Sequence, residues 1–548
     1  MRANDHNGRS CIRCHRWKII VLIILIIAAA IVVPLVVIRP WDRSSSKNGA
    51  DHSQDGGPNT FVPIAPNQTV IPSKDDTAKC NAYTPALNEP FDYASGNIKM
   101  RGVNLGGWLV LEPFITPSLF SPYVVNGVID EYTLCKHLGP DGSKALLEEH
   151  YASWVTEDTF IRIRDLGLNH VRIPIGFWAL GGLTADEPYV PNISWTYLLR
   201  AIEWARKYGI RVMIELHAAP GSQNGWNHSG RSGQINWING TDGAANAQRT
   251  LSYVQQMATF FSSPDYAHVS PIMGALNEPA AYLIGGEKVM AWYTQALSTI
   301  RTATGTSKSL WTVIHDGFLG LAAWADFLPG ADRLMLDTHQ YIMFDTNLMS
   351  MSRTAQLQFA CQTWGSDLSM STKQFGPTMV GEFSVAVNDC ATYLNGVGMG
   401  HRWNGTFDGT PAVSLGSTCV SENNAATYDA LYKLFLSNFF NAQVEAFEQG
   451  AGWFYWNFKT ESNPLWSYFD GVDNGWIPKD ANNRGSSFCA TNGYGFSKQP
   501  VNPTPTSSST LSFSSTSTSV TGAPPTRTSS TSPSSTSPSS ASPSSTDA

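Results

Sequence analysis

The chain has 548 residues, a formal net charge of −7, 14% charged residues and 11% aromatic residues, among them 18 tryptophans. The negative charge gives no electrostatic basis for binding nucleic acid. The length suits roughly two to four average domains, or one α/β barrel with additional segments. Few charges combined with many aromatic rings favour either a groove that stacks sugar rings or a large aromatic core.

The first predicted element is an apolar run at 19–38, with the sequence IIVLIILIIAAAIVVPLVVI. It has the length of about 20 residues that a helix needs to cross a bilayer, and it is longer than the core of a signal peptide. More Lys and Arg residues precede the run than follow it, which orients the N-terminus toward the cytoplasm. We therefore expect a cytoplasmic tail at 1–18, an uncleaved signal anchor at 19–38 that makes the membrane a partner, and a lumenal or extracellular remainder. A cleaved signal peptide is the alternative.

Two further segments have the composition of chains that do not build a core. Residues 39–80 are rich in Ser, Asn, Asp, Gly and Pro, which predicts a flexible stem. Residues 499–548 are dominated by Ser, Thr and Pro and end in the repeat SPSST SPSSA SPSST. This composition is typical of a disordered, O-glycosylated stalk.

Cysteines and glycosylation sequons agree with passage through an oxidising compartment. Six cysteines follow the apolar run, and sequence alone leaves their pairing open among 15 connectivities. They are Cys80, Cys135, Cys361, Cys390, Cys419 and Cys489. N-glycosylation sequons begin at Asn67, Asn192, Asn227, Asn239 and Asn404.

Between 81 and 498, short apolar runs alternate with longer amphipathic segments. The runs predict eight strands, at KMRGVNLGG, NHVRIPI, IRVMIELH, PIMGALNE, LWTVIHD, RLMLDTHQY, TMVGEF and GWFYWNF. The intervening segments predict helices, including one continuous helix over 144–167. Nearly all-apolar strands separated by helices indicate a parallel sheet, and eight such units indicate a (β/α)8 TIM barrel. A doubly wound sheet is the alternative, but no Gly-rich phosphate loop follows the first strand.

The predicted strands share a further property, because many of them end in a polar or aromatic side chain. These side chains are Arg172, His217, Asn277, Glu278, His339, Glu382 and Trp456. In a barrel, the C-terminal strand ends meet on one face, and that face carries the active site. Glu278 ends the fourth strand and Glu382 the seventh, and glycoside hydrolysis requires such a pair of opposed carboxylates. A separation of about 5 Å predicts retention of configuration, and a wider one predicts inversion.

The surrounding residues suit the same chemistry. Arg172 can hold Glu382 ionised, Asn277 can donate to a sugar hydroxyl, and His217, His339 and Tyr341 can orient the sugar and the nucleophile. No tight metal-ligand spacing such as HExxH occurs, so we expect neither a metal nor a cofactor. The string LNEP occurs twice, and the copy that contains Glu89 lies in a predicted turn, where a change to Gln should be silent.

Several stretches resemble the fungal exo-β-1,3-glucanases of glycoside hydrolase family 5. They are MRGVNLGGWLVLEPFITPSLF, VRIPIGFW, LHAAPGSQNGWNHSG, ALNEP, DTHQY and VGEFSVAVNDC, spread between about residues 90 and 495. The resemblance implies a (β/α)8 barrel with retaining chemistry, in which Glu278 is the acid/base and Glu382 the nucleophile. The chain departs from the family pattern at Glu215, where Asp is expected, and at Gln340, where His is expected.

The resemblance also implies roles for other residues. Glu112 would bind the terminal sugar, Trp226 and Phe344 would form an aromatic clamp at the entrance, and Trp456 would be a stacking platform. Two disulfides are implied, Cys361–Cys489 and Cys390–Cys419, which leaves Cys80 and Cys135 as a third possible pair.

The expected function is that of an exo-β-1,3-glucosidase whose partner is the β-glucan of the cell wall. The apolar run adds a type II location at the cell membrane, with a monomeric catalytic domain on the wall side. Three alternatives remain open: a β-1,6- or endo-β-glucanase on the same barrel, a transglycosylase, and a glucan-binding protein without catalysis.

Overall fold

The computed structural model describes residues 73–305, 310–414 and 418–496. The predicted cytoplasmic tail, the apolar run at 19–38, most of the stem, Asn67 and the Ser/Thr/Pro-rich tail lie outside the described residues. Within those three ranges, every helix is too short or too polar to cross a bilayer.

Eight parallel strands form a closed barrel in which each strand pairs with its neighbour in sequence and β1 pairs with β8. The eight predicted strands are therefore confirmed. They are β1 (Met100–Asn104), β2 (His170–Gly176), β3 (Arg211–Ala218), β4 (Ile272–Gly274), β5 (Trp311–His315), β6 (Leu334–Gln340), β7 (Thr378–Phe383) and β8 (Gly452–Tyr455). Most of their residues are buried, as expected for strands covered on one face by helices and on the other by the barrel interior.

Helices surround the barrel and connect its strands. They are α1 (Glu131–Trp154), α2 (Glu157–Asp165), α3 (Ile193–Tyr208), α4 (Gly243–Phe261), α5 (Ala281–Ile284), α6 (Gly286–Thr304), α7 (Thr346–Ser350), α8 (Arg353–Phe359), α9 (Gly365–Gln374), α10 (Ala430–Phe447), α11 (Tyr468–Asp473) and α12 (Phe488–Thr491). The helix α3 ends at Tyr208, and Gly209 caps it in the left-handed conformation at φ 70°.

The prediction of a single helix over 144–167 is wrong, because the helical conformation is interrupted between α1 and α2. Val155 is extended, and Thr156 begins α2 with a capping box in which Thr156 and Thr159 each accept the backbone N–H of the other. These hydrogen bonds satisfy amide groups that the first turn of a helix leaves unpaired, and so they favour a new start at this point.

The chain segment before β1 closes the N-terminal end of the barrel. Phe91 and Tyr93 pack with Met100, Met213 and other apolar side chains of the lower barrel interior. The Tyr93 hydroxyl lies 3.1 Å from Nε2 of the buried His170. With this end filled by apolar side chains, the polar interior of the barrel lies at its C-terminal end.

Both disulfides implied by the resemblance are present, Cys361–Cys489 and Cys390–Cys419. The third pair is wrong, because Cys80 and Cys135 are both free and buried. Cys80 lies near Arg211, the first residue of β3. Cys135 lies in α1 near Glu131, which binds the loop that follows β1. The two thiols are therefore at opposite ends of the barrel, beyond the short distance that a disulfide spans.

The described sequon asparagines lie in turns and loops outside the strands. Asn192 is exposed, whereas Asn227, Asn239 and Asn404 are partly buried. Whether any of them carries a glycan stays a prediction.

Candidate active site

The polar strand ends converge on the buried guanidinium of Arg172 in β2. Its Nη1 donates to Asn104 Oδ1 (2.7 Å) and to Glu382 Oε1 (2.8 Å). Its Nη2 donates to a carboxylate oxygen of Glu215 (2.6 Å) and to Asn277 Oδ1 (2.7 Å). One side chain from the second strand thus orders residues from four other strand ends, which is possible because the five donors of a guanidinium have a fixed geometry.

Glu278 follows β4 by four residues and has a left-handed backbone with φ 43°, which is uncommon for a residue with a side chain. The loop after β3 supports this conformation. Asn224 Nδ2 donates to the backbone carbonyl of Glu278 (3.2 Å), and Gln223 Nε2 donates to that of Asn277 (3.0 Å). The sequence analysis did not predict a role for these two buried side-chain amides. Both stand in the stretch LHAAPGSQNGWNHSG, and the several polar residues of this stretch were the available signal.

Glu382 and the residue before it are placed by β7 and its neighbour β6. Gly381 N–H donates to Asp337 Oδ1 (2.6 Å). A Cβ at Gly381 would lie 2.2 Å from the Asp337 carboxylate, so only glycine fits at this position. Tyr341 Oη donates to Glu382 Oε2 (2.9 Å) while Arg172 binds Oε1, so both oxygens of this carboxylate are held.

The two carboxylates lie close together on either side of His339. The Nδ1 atom of His339 is 2.5 Å from Glu278 Oε1 and 3.5 Å from Glu382 Oε2. Because one nitrogen lies within these distances of both oxygens, the two oxygens are at most about 6 Å apart. This spacing corresponds to the close arrangement, of about 5 Å between carboxyl groups, rather than the wide one.

The two carboxyl groups differ in their ease of ionisation. Burial raises the pKa of Glu278 well above its usual range, and the nearby charge of Glu382 raises it further. Burial also raises the pKa of Glu382, but only to about 7, since the charge of Arg172 and the hydrogen bond from Tyr341 oppose it. Glu382 is therefore the first of the two to ionise, and Glu278 retains its proton.

The supporting groups have defined charge states as well. Burial alone would raise the pKa of Glu215, but Arg172 and His217 outweigh burial and lower it, so Glu215 is ionised. Burial lowers the pKa of His217, His228 and His339, which keeps these imidazoles neutral at neutral pH.

Some buried polar atoms in the cavity lack a hydrogen-bond partner within the described parts of the chain. They include Glu112 Oε1, His217 Nε2 and Asn277 Nδ2. Burial raises the pKa of Glu112 well above its usual range, and the charge of Glu382 raises it further, so its carboxyl group is neutral. The Trp456 indole stacks on the His217 imidazole, with ring centroids 5.6 Å apart and planes 6° apart. A hydroxyl-rich ligand seated here would satisfy these atoms.

The predicted clamp residues lie on two different loops at the mouth of the barrel. Trp226 follows β3 and is 39% exposed, and Phe344 follows β6 and is 48% exposed. Trp226 contacts Phe318 edge-on, with centroids 5.5 Å apart, and Phe344 contacts Tyr341 edge-on at the same centroid distance. The structure thus brings the predicted catalytic and substrate-binding residues to the C-terminal end of the barrel.

Sequence reasoning missed one residue that contacts a catalytic candidate directly. His228 Nε2 lies 3.3 Å from Glu278 Oε2. His228 lies on a single turn of 3-10 helix, Asn227–Ser229, in the loop after β3. Its position two residues after Trp226 was the available signal, but only the course of the loop brings it to Glu278.

One group of side chains has the spacing of possible metal ligands. Glu278, His315 and His339 each offer an atom, and these atoms lie within 4.8 Å of one another. Nδ1 of His339 is already engaged with Oε1 of Glu278. The expectation of metal-free chemistry stays a prediction.

Comparison with known proteins shows similarity to glycosyl hydrolases. Residues 139–397 match the family model Cellulase (glycosyl hydrolase family 5). The chain is 46% identical over 421 residues to the probable glucan 1,3-beta-glucosidase D of Neosartorya fischeri, and 46% identical over 419 residues to that of Aspergillus niger. Each alignment covers 74% of this chain and 50% of the relative, so the chain spans about half the length of these curated relatives.

Solved structures agree on the fold. The crystal structure of AoRut aligns with a TM-score of 0.55 at 20% identity, covering 71% of this chain and 99% of that one. The rutinosidase of Aspergillus niger aligns with a TM-score of 0.53 at 19% identity, covering 71% of this chain and all of that one. Residues 139–397 are therefore similar to glycosyl hydrolase family 5, and the two solved structures share the barrel fold.

Proposed function

We propose that this protein is a retaining exo-β-1,3-glucosidase that releases glucose from the ends of β-1,3-glucan chains. The observation that carries the proposal is the pair Glu278 and Glu382, whose facing oxygens lie at most about 6 Å apart. One carboxyl is neutral and the other is the first to ionise. Retaining glycosidases use such a pair as proton donor and nucleophile.

The proposed reaction has two steps. In the first, Glu382 attacks the anomeric carbon while Glu278 donates its proton to the departing glycosidic oxygen, leaving a glucosyl ester on Glu382. In the second, Glu278 removes a proton from water, which attacks the same carbon and releases glucose with its original configuration. Arg172 and Tyr341 hold the attacking carboxylate in place through their bonds to its two oxygens.

Three unpaired polar atoms and an aromatic ring suit a glucosyl unit in this cavity. Asn277 Nδ2, His217 Nε2 and the neutral Glu112 carboxyl can bind sugar hydroxyls, and Trp456 offers the face of its ring. The β-1,3 linkage is proposed from the name of the curated relatives, glucan 1,3-beta-glucosidase.

The decisive experiment is product analysis with the anomer determined at early times. We expect laminarin to yield glucose from the first time point, with β-glucose as the initial anomer, and pustulan to react much more slowly. Initial α-glucose would contradict retention. Release of oligosaccharides before glucose would indicate an endoglucanase, preference for pustulan a β-1,6-glucanase, and lengthened products a transglycosylase.

Substitution of the two carboxylates tests the assignment of roles. Glu382→Gln is expected to reduce turnover of laminarin by several orders of magnitude, because the nucleophile is lost. Glu278→Gln is expected to do the same on laminarin, with or without azide, because the alcohol leaving group needs the proton of this residue. On 2,4-dinitrophenyl glucoside, whose leaving group needs no proton, azide should restore turnover of Glu278→Gln, because azide attacks the glucosyl ester without a general base. Glu89→Gln is a matched control, since Glu89 stands in the other LNEP string and pairs with the exposed Lys79. A fully active Glu382→Gln variant would favour a glucan-binding role without catalysis.

We also propose that residues 19–38 anchor the enzyme in the cell membrane in a type II orientation, where it remodels wall glucan. The apolar run and the basic residues before it support this location. Membrane fractionation after alkaline extraction, with protease accessibility of the barrel on intact protoplasts, tests it. Release of the protein by alkali would contradict an anchor.

A further inference from the structure

The carboxyl group of Glu278 lies between two imidazoles that come from different loops. His339, in β6, engages Oε1 through Nδ1 at 2.5 Å. His228, in the loop after β3, places Nε2 at 3.3 Å from Oε2. Each oxygen of the proposed acid/base therefore has its own nitrogen neighbour.

The two oxygens are not equivalent. Oε1 lies on the side of His339 and within about 6 Å of Glu382 Oε2, because the nitrogen that contacts it is also 3.5 Å from Glu382 Oε2. It is occupied by a short contact with His339. Oε2 is thus the oxygen available to hand its proton to a departing group, and the nitrogen beside it is that of His228.

The turn that carries His228 is fixed by buried hydroxyls. Ser222 Oγ and Ser229 Oγ are 2.6 Å apart, and Ser222 Oγ also accepts from Gly225 N–H (2.9 Å). Ser229 Oγ donates to the carbonyl of Trp226 (2.7 Å). These hydrogen bonds fix the turn at both ends and so hold the imidazole beside Glu278 before substrate binds, as electrostatic preorganisation requires.

We propose that His228 is a positioning residue for the acid/base, holding Oε2 toward the leaving group and donating an N–H to it as the carboxylate forms. This inference rests on the proposed glycosidase function. In the first step Glu278 loses its proton to the glycosidic oxygen and gains a negative charge. A neutral imidazole N–H stabilises that charge more than it stabilises the uncharged acid, so the benefit appears in the transition state.

If His228 assists proton donation by Glu278, the effect of losing His228 depends on how strongly the leaving group requires protonation. Phenol and alcohols are poor leaving groups and require protonation, whereas 2,4-dinitrophenolate departs without it. Loss of His228 should therefore slow the first step for phenyl glucoside and leave it nearly unchanged for 2,4-dinitrophenyl glucoside.

The test compares kcat/KM of the full chain and its variants on these two β-glucosides. We expect His228→Ala to lose about 10- to 100-fold on phenyl glucoside and less than about threefold on 2,4-dinitrophenyl glucoside. His228→Gln should recover part of the loss, because its amide can place a donor near the same position. His268→Ala is the matched control, since this half-exposed histidine binds Asp76 and lies outside the cavity.

Each other outcome is informative. Equal losses on both glucosides, or no loss on either, would overturn the role of His228 while leaving the proposed function intact. An unsubstituted enzyme that is inactive on laminarin and on both glucosides would overturn the proposed function and this inference together. If the thermal midpoint of His228→Ala falls strongly, the same comparison on His228→Gln decides the matter.

Discussion

At the scale of single residues, the state of Glu382 is a balance between burial and two specific bonds. Burial raises the pKa of this carboxyl group, whereas Arg172 on Oε1 and Tyr341 on Oε2 stabilise its ionised form and lower the pKa. The phenol of Tyr341 is buried, and its own pKa is raised well above the usual range, so it remains a donor throughout the accessible pH range. Tyr341 therefore donates this hydrogen bond at every accessible pH and does not add an ionisation of its own to the pH profile.

Tyr341→Phe is expected to shift the acid limb of the pH profile of kcat/KM to higher pH. The hydrogen bond from Tyr341 favours the carboxylate, so its loss raises the pKa of Glu382 above about 7, and activity falls at a higher pH as the solution is acidified. The measurement is kcat/KM on an aryl glucoside between pH 4 and 9. Tyr393→Phe is the control, because its hydroxyl binds exposed Ser121. An unchanged acid limb would show that Tyr341 does not set the ionisation of the nucleophile.

At the scale of elements, the loop after β3 supports residues of the neighbouring strand end. Gln223 and Asn224 bind the carbonyls of Asn277 and Glu278, while His228 reaches the Glu278 carboxyl itself. A left-handed backbone at a residue other than glycine costs of order 1 kcal/mol and persists only where neighbours hold it. The conformation of Glu278, the proposed acid/base, thus depends on a loop that does not contain it.

Asn224→Ala is expected to reduce kcat by about 10-fold or more while changing the thermal midpoint little. The variant removes the donor to the Glu278 carbonyl, which loosens the backbone that aims the carboxyl group. Asn474→Ala is the matched control, because it also deletes an amide bond to a carbonyl, that of Asp470, away from the cavity. Equal kcat values in the two variants would show that the hydrogen bond from Asn224 is not needed to orient the Glu278 carboxyl group.

The sequence predicts the strands well because a barrel strand is buried on both faces and reads as an apolar run. It also predicts that Glu278 and Glu382 lie close together, because they stand at the ends of the fourth and seventh apolar runs, and the structure places them so. Their catalytic roles stay a prediction. The sequence could not predict the break at Thr156, where the amphipathic pattern continues across the cap. Nor could it find His228, whose contact with Glu278 depends on the path of an irregular loop.

At the scale of the whole molecule, two disulfides constrain the chain over very different lengths. Cys361–Cys489 joins residues 128 positions apart and attaches α12, the last helix in the described part of the chain, to the barrel domain. Cys390–Cys419 closes a loop of 29 positions within the segment after β7. A crosslink lowers the entropy of the unfolded chain more when it closes a longer loop.

Replacing both Cys361 and Cys489 by Ser is therefore expected to lower the thermal midpoint more than replacing both Cys390 and Cys419. Loop entropy alone predicts a difference of about 1 kcal/mol between the two pairs. The measurement is the unfolding midpoint of each double variant against the parent chain. An equal or reversed order would mean that local packing, rather than loop length, governs the contribution of these disulfides.

Asn227, which lies between Trp226 and His228, has a consequence for the size of substrate that the enzyme accepts. A glycan on this sequon would be attached at the rim of the cavity, beside the exposed Trp226 and near the proposed proton donor Glu278. Such a glycan would hinder the entry of a polymeric glucan into the cavity but would leave enough space for a small glucoside. We expect enzyme from a host without N-glycosylation to have a higher ratio of laminarin to aryl-glucoside activity than the glycosylated form. Trimming with an endoglycosidase should then raise that ratio in the glycosylated enzyme.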